Sequence, residues 1–348
     1  MSFNKITIGD IVENLKEWAK NNKKLMIISH RSPDGDTLGS AFALKLIYEA
    51  LGGYAQCTCK SEGAPFLRFL YAGQDFITYE EGLEKDFDKI VSVDVAAPGQ
   101  LGDLIAIKDK IDIMIDHHER GEVFADNYVD GKASAAGEII YKIYQQLLDE
   151  GSIESLPKAC ARIYAAISAD TGSFKFSNVT PETHMIAAKM LYEMAKEGID
   201  HSEIARILHD SYSEKDLQAR KVAIDNLKVE CDGAFAYVVL TKDILDKEEL
   251  TDDNTGSVVD IPRNVEGVLV GISIKQNLER ENEYRISARS NSDIDVAEIC
   301  ALFGGGGHKK AAGGRIEAET AEEAVKIITE PFRNAVMKHL EEKNVQKK

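Results

Sequence analysis

The stretch LMIISHRSPDGDTLGSAFALKLIYEALGG, Leu25–Gly53, decides how the rest of the chain is read. Leu25–Ser29 is an apolar run that halts at His30 and reads as a strand. Thr37–Leu51 carries apolar residues at helix spacing, and Gly52-Gly53 stops it. Strands alternating with helices in this way make crossover units, so an α/β domain with a parallel sheet is expected. The loop between them, His30-Arg31-Ser32-Pro33-Asp34-Gly35-Asp36-Thr37, lies at the carboxyl edge of that sheet, where open α/β folds place ligands. His30, Asp34 and Asp36 share this loop, and Gly35 lets the two carboxylates converge. Hard oxygens plus an imidazole suit a divalent ion such as Mn²⁺ or Mg²⁺. The competing reading is a turn in which Asp34 or Asp36 caps the helix.

The same punctuation recurs downstream. Ile90–Val93 reads as a strand ending at Asp94, and Ile111–Ile115 as one ending at Asp116-His117-His118. Helical patterns follow at Ser134–Leu148 and Pro157–Ser168, with Asp170 expected just beyond at a glycine-marked turn. One acid at one strand end is commonplace; acids or histidines at three strand ends on one edge exceed what capping explains. Burying unpaired carboxylates costs several kcal/mol each, so such a cluster calls for a cation. The residues suffice for two.

From Pro181 to Val229 the pattern is helical with no strand, a connector. From Ala234 it changes: AYVVL, VEGVLVGISIK and YRISARS read as strands. Helices Val296–Leu302 and Ala321–Glu341 flank a glycine cluster, Gly304–Gly307. The expected division is 1–185, a parallel-sheet α/β domain; 186–230, the helical connector; and 231–348, a smaller α/β domain with a mixed sheet. The run Lys309-Lys310-Ala311-Ala312 reads as helix-forming, so the glycines before it would aim backbone N–H groups at an anion. The alternative is a hinge.

At 348 residues the chain is long enough for about two domains. Its net charge of −17 argues against coating duplex DNA, which needs a broad basic footprint. Five scattered cysteines do not make a disulfide framework, and Cys57-x-Cys59 without a second pair does not make a zinc site. The segment MSFNKITIGDIVENLKEWAK lacks the apolar core of a signal peptide, and no apolar run is long enough to span a bilayer. A cytoplasmic location with no membrane partner is expected.

The set His30/Asp34/Asp36, Asp94, Asp116-His117-His118 and Asp170 resembles the four motifs of the DHH phosphoesterase superfamily. GGGGHKKAAG, Gly304–Gly313, looks like the signature of its first type of DHH-associated domain. Among members, the length and motifs are most similar to the nanoRNase A type, described as an oligoribonuclease and pAp phosphatase. The resemblance implies a DHH catalytic domain and a DHH-associated substrate-binding domain. It implies two divalent ions, Mn²⁺ first with Mg²⁺ or Co²⁺ as alternatives. His30, Asp34 and Asp94 would hold one, and Asp36, Asp94, His117 and Asp170 the other, with Asp94 bridging. Asp116 would orient a histidine, and His118 would touch the phosphate; which histidine ligates stays open from the residues alone. Arg289, Ser290, Gly305, Gly306, Gly307 and His308 would bind the nucleotide's other phosphate, with Arg263 and Asn291 as further candidates.

The implied reaction is hydrolysis by a hydroxide shared between the ions. Its substrates would be single-stranded RNA of roughly two to five nucleotides, cut to mononucleotides, and pAp, cut to AMP and phosphate. A homodimer acting on short RNA or small nucleotides, not duplex DNA, is expected. The alternatives are a cyclic-dinucleotide (c-di-AMP) phosphodiesterase, a RecJ-type single-strand exonuclease, and a non-catalytic nucleotide sensor.

Overall fold

The computed structural model describes residues 3–58, 65–73, 76–119 and 121–346; Cys59 lies outside them. The chain forms two compact units, Met1–Ser211 and Tyr212–Lys348.

The first unit contains α1 (Ile8–Lys20), β1 (Lys24–Ile28), α2 (Gly35–Ala50), β2 (Tyr54–Thr58), β3 (Phe76–Ile77), α3 (Tyr79–Glu84), β4 (Lys89–Val93), β5 (Ile113–Asp116) and β6 (Asp126–Val129). Four helices complete it: α4 (Ala136–Asp149), α5 (Pro157–Asp170), α6 (Pro181–Ala195) and α7 (His201–His209). The sheet order is β3-β2-β1-β4-β5-β6, and every pairing is parallel. Alternate residues of β1 serve opposite cores. Leu25 and Ile27 pack with α1, α2, α4 and α5, whereas Met26 and Ile28 pack with Tyr79, Leu101 and Leu104 on the other face. That two-sided burial is why the strand reads as an unbroken apolar run. After β3 the chain returns to the far side of β1 to form β4, so the topological switch point falls between β1 and β4. Helix α2 packs closely on α5, because a Cβ at Gly39 would lie 2.7 Å from the Arg162 carbonyl oxygen.

The second unit contains α8 (Glu214–Asp225), β7 (Leu227–Glu230), β8 (Phe235–Leu240), α9 (Lys242–Lys247), α10 (Asp252–Thr255), α11 (Asp260–Arg263), β9 (Val270–Gln276), β10 (Glu283–Ser290), α12 (Val296–Ala301), β11 (Gly306–His308), β12 (Ala311–Glu317) and α13 (Ala321–Gln346). Its sheet, β11-β12-β10-β9-β8-β7, is mixed: β8–β9 is parallel and the other pairings are antiparallel.

Four sequence expectations need correction. Leu227–Glu230 is a strand paired with β8, not the end of a helix; four edge residues with one neighbour show no periodicity of their own. The strand in VEGVLVGISIK begins only at Val270. Helix α5 continues through Asp170, so this acid closes the helix instead of following it. The residues after His308 form β12, which pairs with β11 and β10, so no helix starts there. Steric demand accounts for part of the glycine cluster: a Cβ at Gly305 would sit 1.9 Å from the Gly313 carbonyl oxygen, and Gly307 has φ +142°.

Candidate metal centre and active site

Three neighbouring strands of the first sheet, β1, β4 and β5, deliver the motif residues from their carboxyl ends, and α5 delivers Asp170. Asp34 is the N-cap of α2, its Oδ1 accepting from the Thr37 N–H at 3.0 Å. The capping reading of this loop therefore holds, and the other oxygen, Oδ2, is left facing His30 Nε2 at 3.8 Å. Asp36 is buried in the first turn of α2. Its Oδ1 accepts from Ser40 Oγ and the Gly137 N–H, and its Oδ2 from the Ala136 N–H at 2.7 Å, so the start of α4 holds this carboxylate.

Asp94 sits just past β4 with φ +58°, a left-handed conformation uncommon outside glycine. Its N–H donates to the Ile115 carbonyl oxygen at 2.9 Å, which ties the turn to β5. The residue is 3% exposed. Oδ2 accepts from Thr37 Oγ1 at 2.5 Å and lies 3.7 Å from His30 Nε2. Oδ1 lies 3.5 Å from His117 Nε2 and 3.7 Å from His118 Nδ1, and among the described residues it has no hydrogen-bond partner.

The two histidines are oriented differently. His117 Nδ1 meets the Ala133 carbonyl oxygen at 3.3 Å, which leaves Nε2 facing Asp36 Oδ2 at 3.6 Å, Asp94 Oδ1 and Asp170 Oδ2 at 3.4 Å. A backbone partner on the far nitrogen is how proteins commonly orient an imidazole ligand. His118 Nδ1 is 2.8 Å from Asp116 Oδ1. Asp116 is buried, and its Oδ2 lacks a partner among the described residues.

Ligand atoms lie within 4.8 Å of one another in three groupings among the described residues: His30/Asp34/Asp94, Asp36/His117/Asp170 and Asp94/His117/His118. The first two sit on opposite oxygens of Asp94. Burial, then the charges of Asp94 and Asp170, lifts Asp36 well above the ordinary carboxylate range. Burial also lifts Asp170 to about 7. Burial opposes a charge on His117, but Asp94, Asp36 and Asp170 overcome it and push the imidazole up to about 11. These shifts express one fact, that acids are packed together without enough positive charge. A buried Asp94 oxygen without a donor among the described residues and a convergent oxygen–imidazole set fit divalent cations.

The second unit holds the other sequence candidates. Arg289, near the end of β10, is drawn below its ordinary pKa by burial, and its Nη1 donates to the Ala288 carbonyl oxygen at 3.0 Å. Ser290 is buried with Oγ 3.0 Å from the Ser292 carbonyl oxygen, so its hydroxyl is engaged internally. Asn291 Nδ2 donates to the carbonyl oxygens of Arg263 and Val268. Gly305 precedes the β11–β12 hairpin that carries Gly306, Gly307 and His308, and a Cβ at Gly306 would meet open space. Sequence reasoning passed over Thr37, Ser40, the Ala133 carbonyl and the start of α4. The first two lie inside the stretch Leu25–Gly53; the Ala136 N–H is 100 residues from Asp36 and the Ala133 carbonyl 16 residues from His117, and folding brings each pair together.

The DHH family, N-terminal domain, matches residues 24–167, and the DHHA1 domain matches residues 232–334. A Streptococcus mutans chain named "Probable bifunctional oligoribonuclease and PAP phosphatase NrnA" is 32% identical over 295 residues, 83% of this chain and 88% of that one. This chain belongs to the DHH family. The DHH match covers all three strand-end motifs, and Asp170 falls just after it. "Bifunctional oligoribonuclease and PAP phosphatase NrnA" of Thermus thermophilus is 27% identical, across 89% of each chain. Among solved structures, an exopolyphosphatase-related protein from Bacteroides fragilis superposes with a TM-score of 0.82 at 26% identity, covering 95% of this DHH chain and 96% of that one.

Proposed function

We propose that this DHH-family chain is a metal-dependent phosphoesterase that hydrolyses short oligoribonucleotides to mononucleotides and pAp to AMP plus phosphate. The observation that carries the reading is Asp94: a buried carboxylate at the switch point, Oδ2 toward His30 and Asp34, and Oδ1 toward His117 with no donor among the described residues. The names of the two relatives support the choice of substrates.

In this reading His30, Asp34 and Asp94 hold one divalent ion, and Asp36, Asp94, His117 and Asp170 hold a second. Ligand hardness favours Mn²⁺ or Mg²⁺. When bound, such a pair activates water at neutral pH and neutralises charge on the phosphoryl oxygens. The chain's own groups do the rest. Thr37 fixes the rotamer of Asp94, and the Ala133 carbonyl fixes the tautomer of His117. Asp116 anchors His118 through Nδ1, so Nε2 is the ring nitrogen that can give a proton to the departing oxygen. Burial disfavours the imidazolium, but Asp116 outweighs it and raises the His118 pKa, which keeps that proton available. Arg289, Gly306 and His308 would grip a further phosphate of the substrate.

Product analysis with Mn²⁺ on pApA, a short RNA, cyclic di-AMP and pAp tests the reading. Cleavage of pApA together with release of phosphate from pAp is expected. Turnover of the cyclic substrate alone would overturn the substrate assignment while keeping the metal centre, and no turnover of any of the four would overturn the enzyme itself.

A further inference from the structure

At the opposite edge of the first sheet, where β2 begins, lies a cavity of about 490 Å³. Lys45, Glu49, Tyr54, Gln56, Lys158 and Arg162 line it. Helices α2 and α5 both run between this cavity and the motif residues. Arg162 precedes Asp170 by eight residues, and Lys45 follows Asp36 by nine, so about 12–14 Å of helix separates the two places.

The charge here is unusual for the molecule. Arg162 is 8% exposed, with Nε donating to the Leu70 carbonyl oxygen at 2.6 Å and Nη1 to the Lys158 carbonyl oxygen at 2.9 Å. Among the described residues it makes no ion pair. Lys45 is paired with Glu49 at 2.5 Å, and Lys158 is exposed with no ion pair among the described residues. The lining therefore carries three cations and one acid in a chain whose net charge is −17. The two carbonyl partners offset only part of the desolvation cost of a buried guanidinium, and a counter-charge would offset more; burial does pull the Arg162 pKa down. A guanidinium and an exposed ammonium lining one cavity match phosphate oxygens. Tyr54, 52% exposed and lining the same cavity, offers a ring on which a base can stack.

We propose that this cavity is a second, non-catalytic site for a small phosphate-bearing molecule, gripped by Arg162 and Lys158. Its ligand is either free phosphate or the phosphate of a mononucleotide.

Calorimetric titration of the full-length chain decides the matter. Divalent ions are removed and Arg289→Ala is introduced, so that neither the metal centre nor the β10 site contributes. Inorganic phosphate, AMP and adenosine are titrated in separate arms. Saturable binding of phosphate or AMP is expected, weakened about tenfold or more by Lys158→Glu. AMP binding more tightly than phosphate, with Tyr54→Ala erasing the difference, identifies a nucleotide ligand; equal affinities identify free phosphate. Arg162→Gln is a second variant, read only if its melting temperature stays near that of the parent. No saturable binding, binding unchanged by Lys158→Glu, or adenosine binding as well as AMP would overturn the proposal.

Discussion

Thr37 Oγ1 donates to Asp94 Oδ2 at 2.5 Å, joining the first helical turn after β1 to the residue that closes β4. The bond spans the switch point of the sheet and fixes which way the central carboxylate turns. It leaves Oδ1 buried without a donor among the described residues. Replacing Thr37 by Val keeps the shape and removes the donor. Loss of a partner of this kind typically costs about 10–100-fold in metal affinity or activity. Thr37→Val is expected to need more Mn²⁺ for half-maximal activity, with part of the rate restored at saturating metal. An unchanged metal requirement would contradict a positioning role.

Asp94→Asn separates charge from fold. Asparagine tolerates the left-handed backbone at this position, whereas Ala would add roughly 1–2 kcal/mol of strain. With a charge removed from a crowded acid cluster, the metal-free variant should melt no lower than the metal-free parent. Bound metal and turnover should both collapse. Retained metal stoichiometry in elemental analysis would contradict the bridging assignment.

Metal binding should release protons. Without metal, the Asp170 carboxyl is held at about 7, so it favours the folded state while protonated, below the ordinary carboxylate pKa. That stability is lost as pH rises through about 7. His117, pushed up to about 11, also keeps its proton across this range. Ligation removes both, so Mn²⁺ affinity should climb between about pH 6 and pH 8, by about tenfold per pH unit for each proton displaced. The thermal shift caused by Mn²⁺ should widen in parallel. A flat affinity profile would contradict coupling between these groups and the metal.

Two neighbouring glycines should behave oppositely. Gly305→Ala drives a Cβ onto the Gly313 carbonyl oxygen, so a melting loss equivalent to about 1–3 kcal/mol is expected. A Cβ at Gly306 meets nothing, so Gly306→Ala should leave the melting temperature in place. If the hairpin touches substrate, Gly306→Ala should raise KM for pAp; an unchanged KM would confine the cluster to a structural role.

The loop His30–Thr37 and the acids at the ends of β4 and β5 were legible because each marks the close of a strand buried on both faces, and such strands leave continuous apolar runs. Once those runs are recognised, the carboxyl ends of parallel strands must share one edge, so local pattern alone determined the α/β class and the convergence of Asp34, Asp36, Asp94 and His117. The sequence could not determine which nitrogen of His117 faces the acids. That depends on the Ala133 carbonyl, brought there by the chain that enters α4. Nor could it show that β12 follows His308, since Ala-Ala-Gly-Gly has no periodicity and pairing with β10 alone makes it a strand. The cation-lined cavity was equally hidden, because Lys45 and Arg162 are 117 residues apart and meet only where α2 packs on α5. Hydrophobic periodicity is a local property and survives in the sequence; hydrogen-bond partners and charge balance are set by long-range neighbours, which only the folded chain supplies.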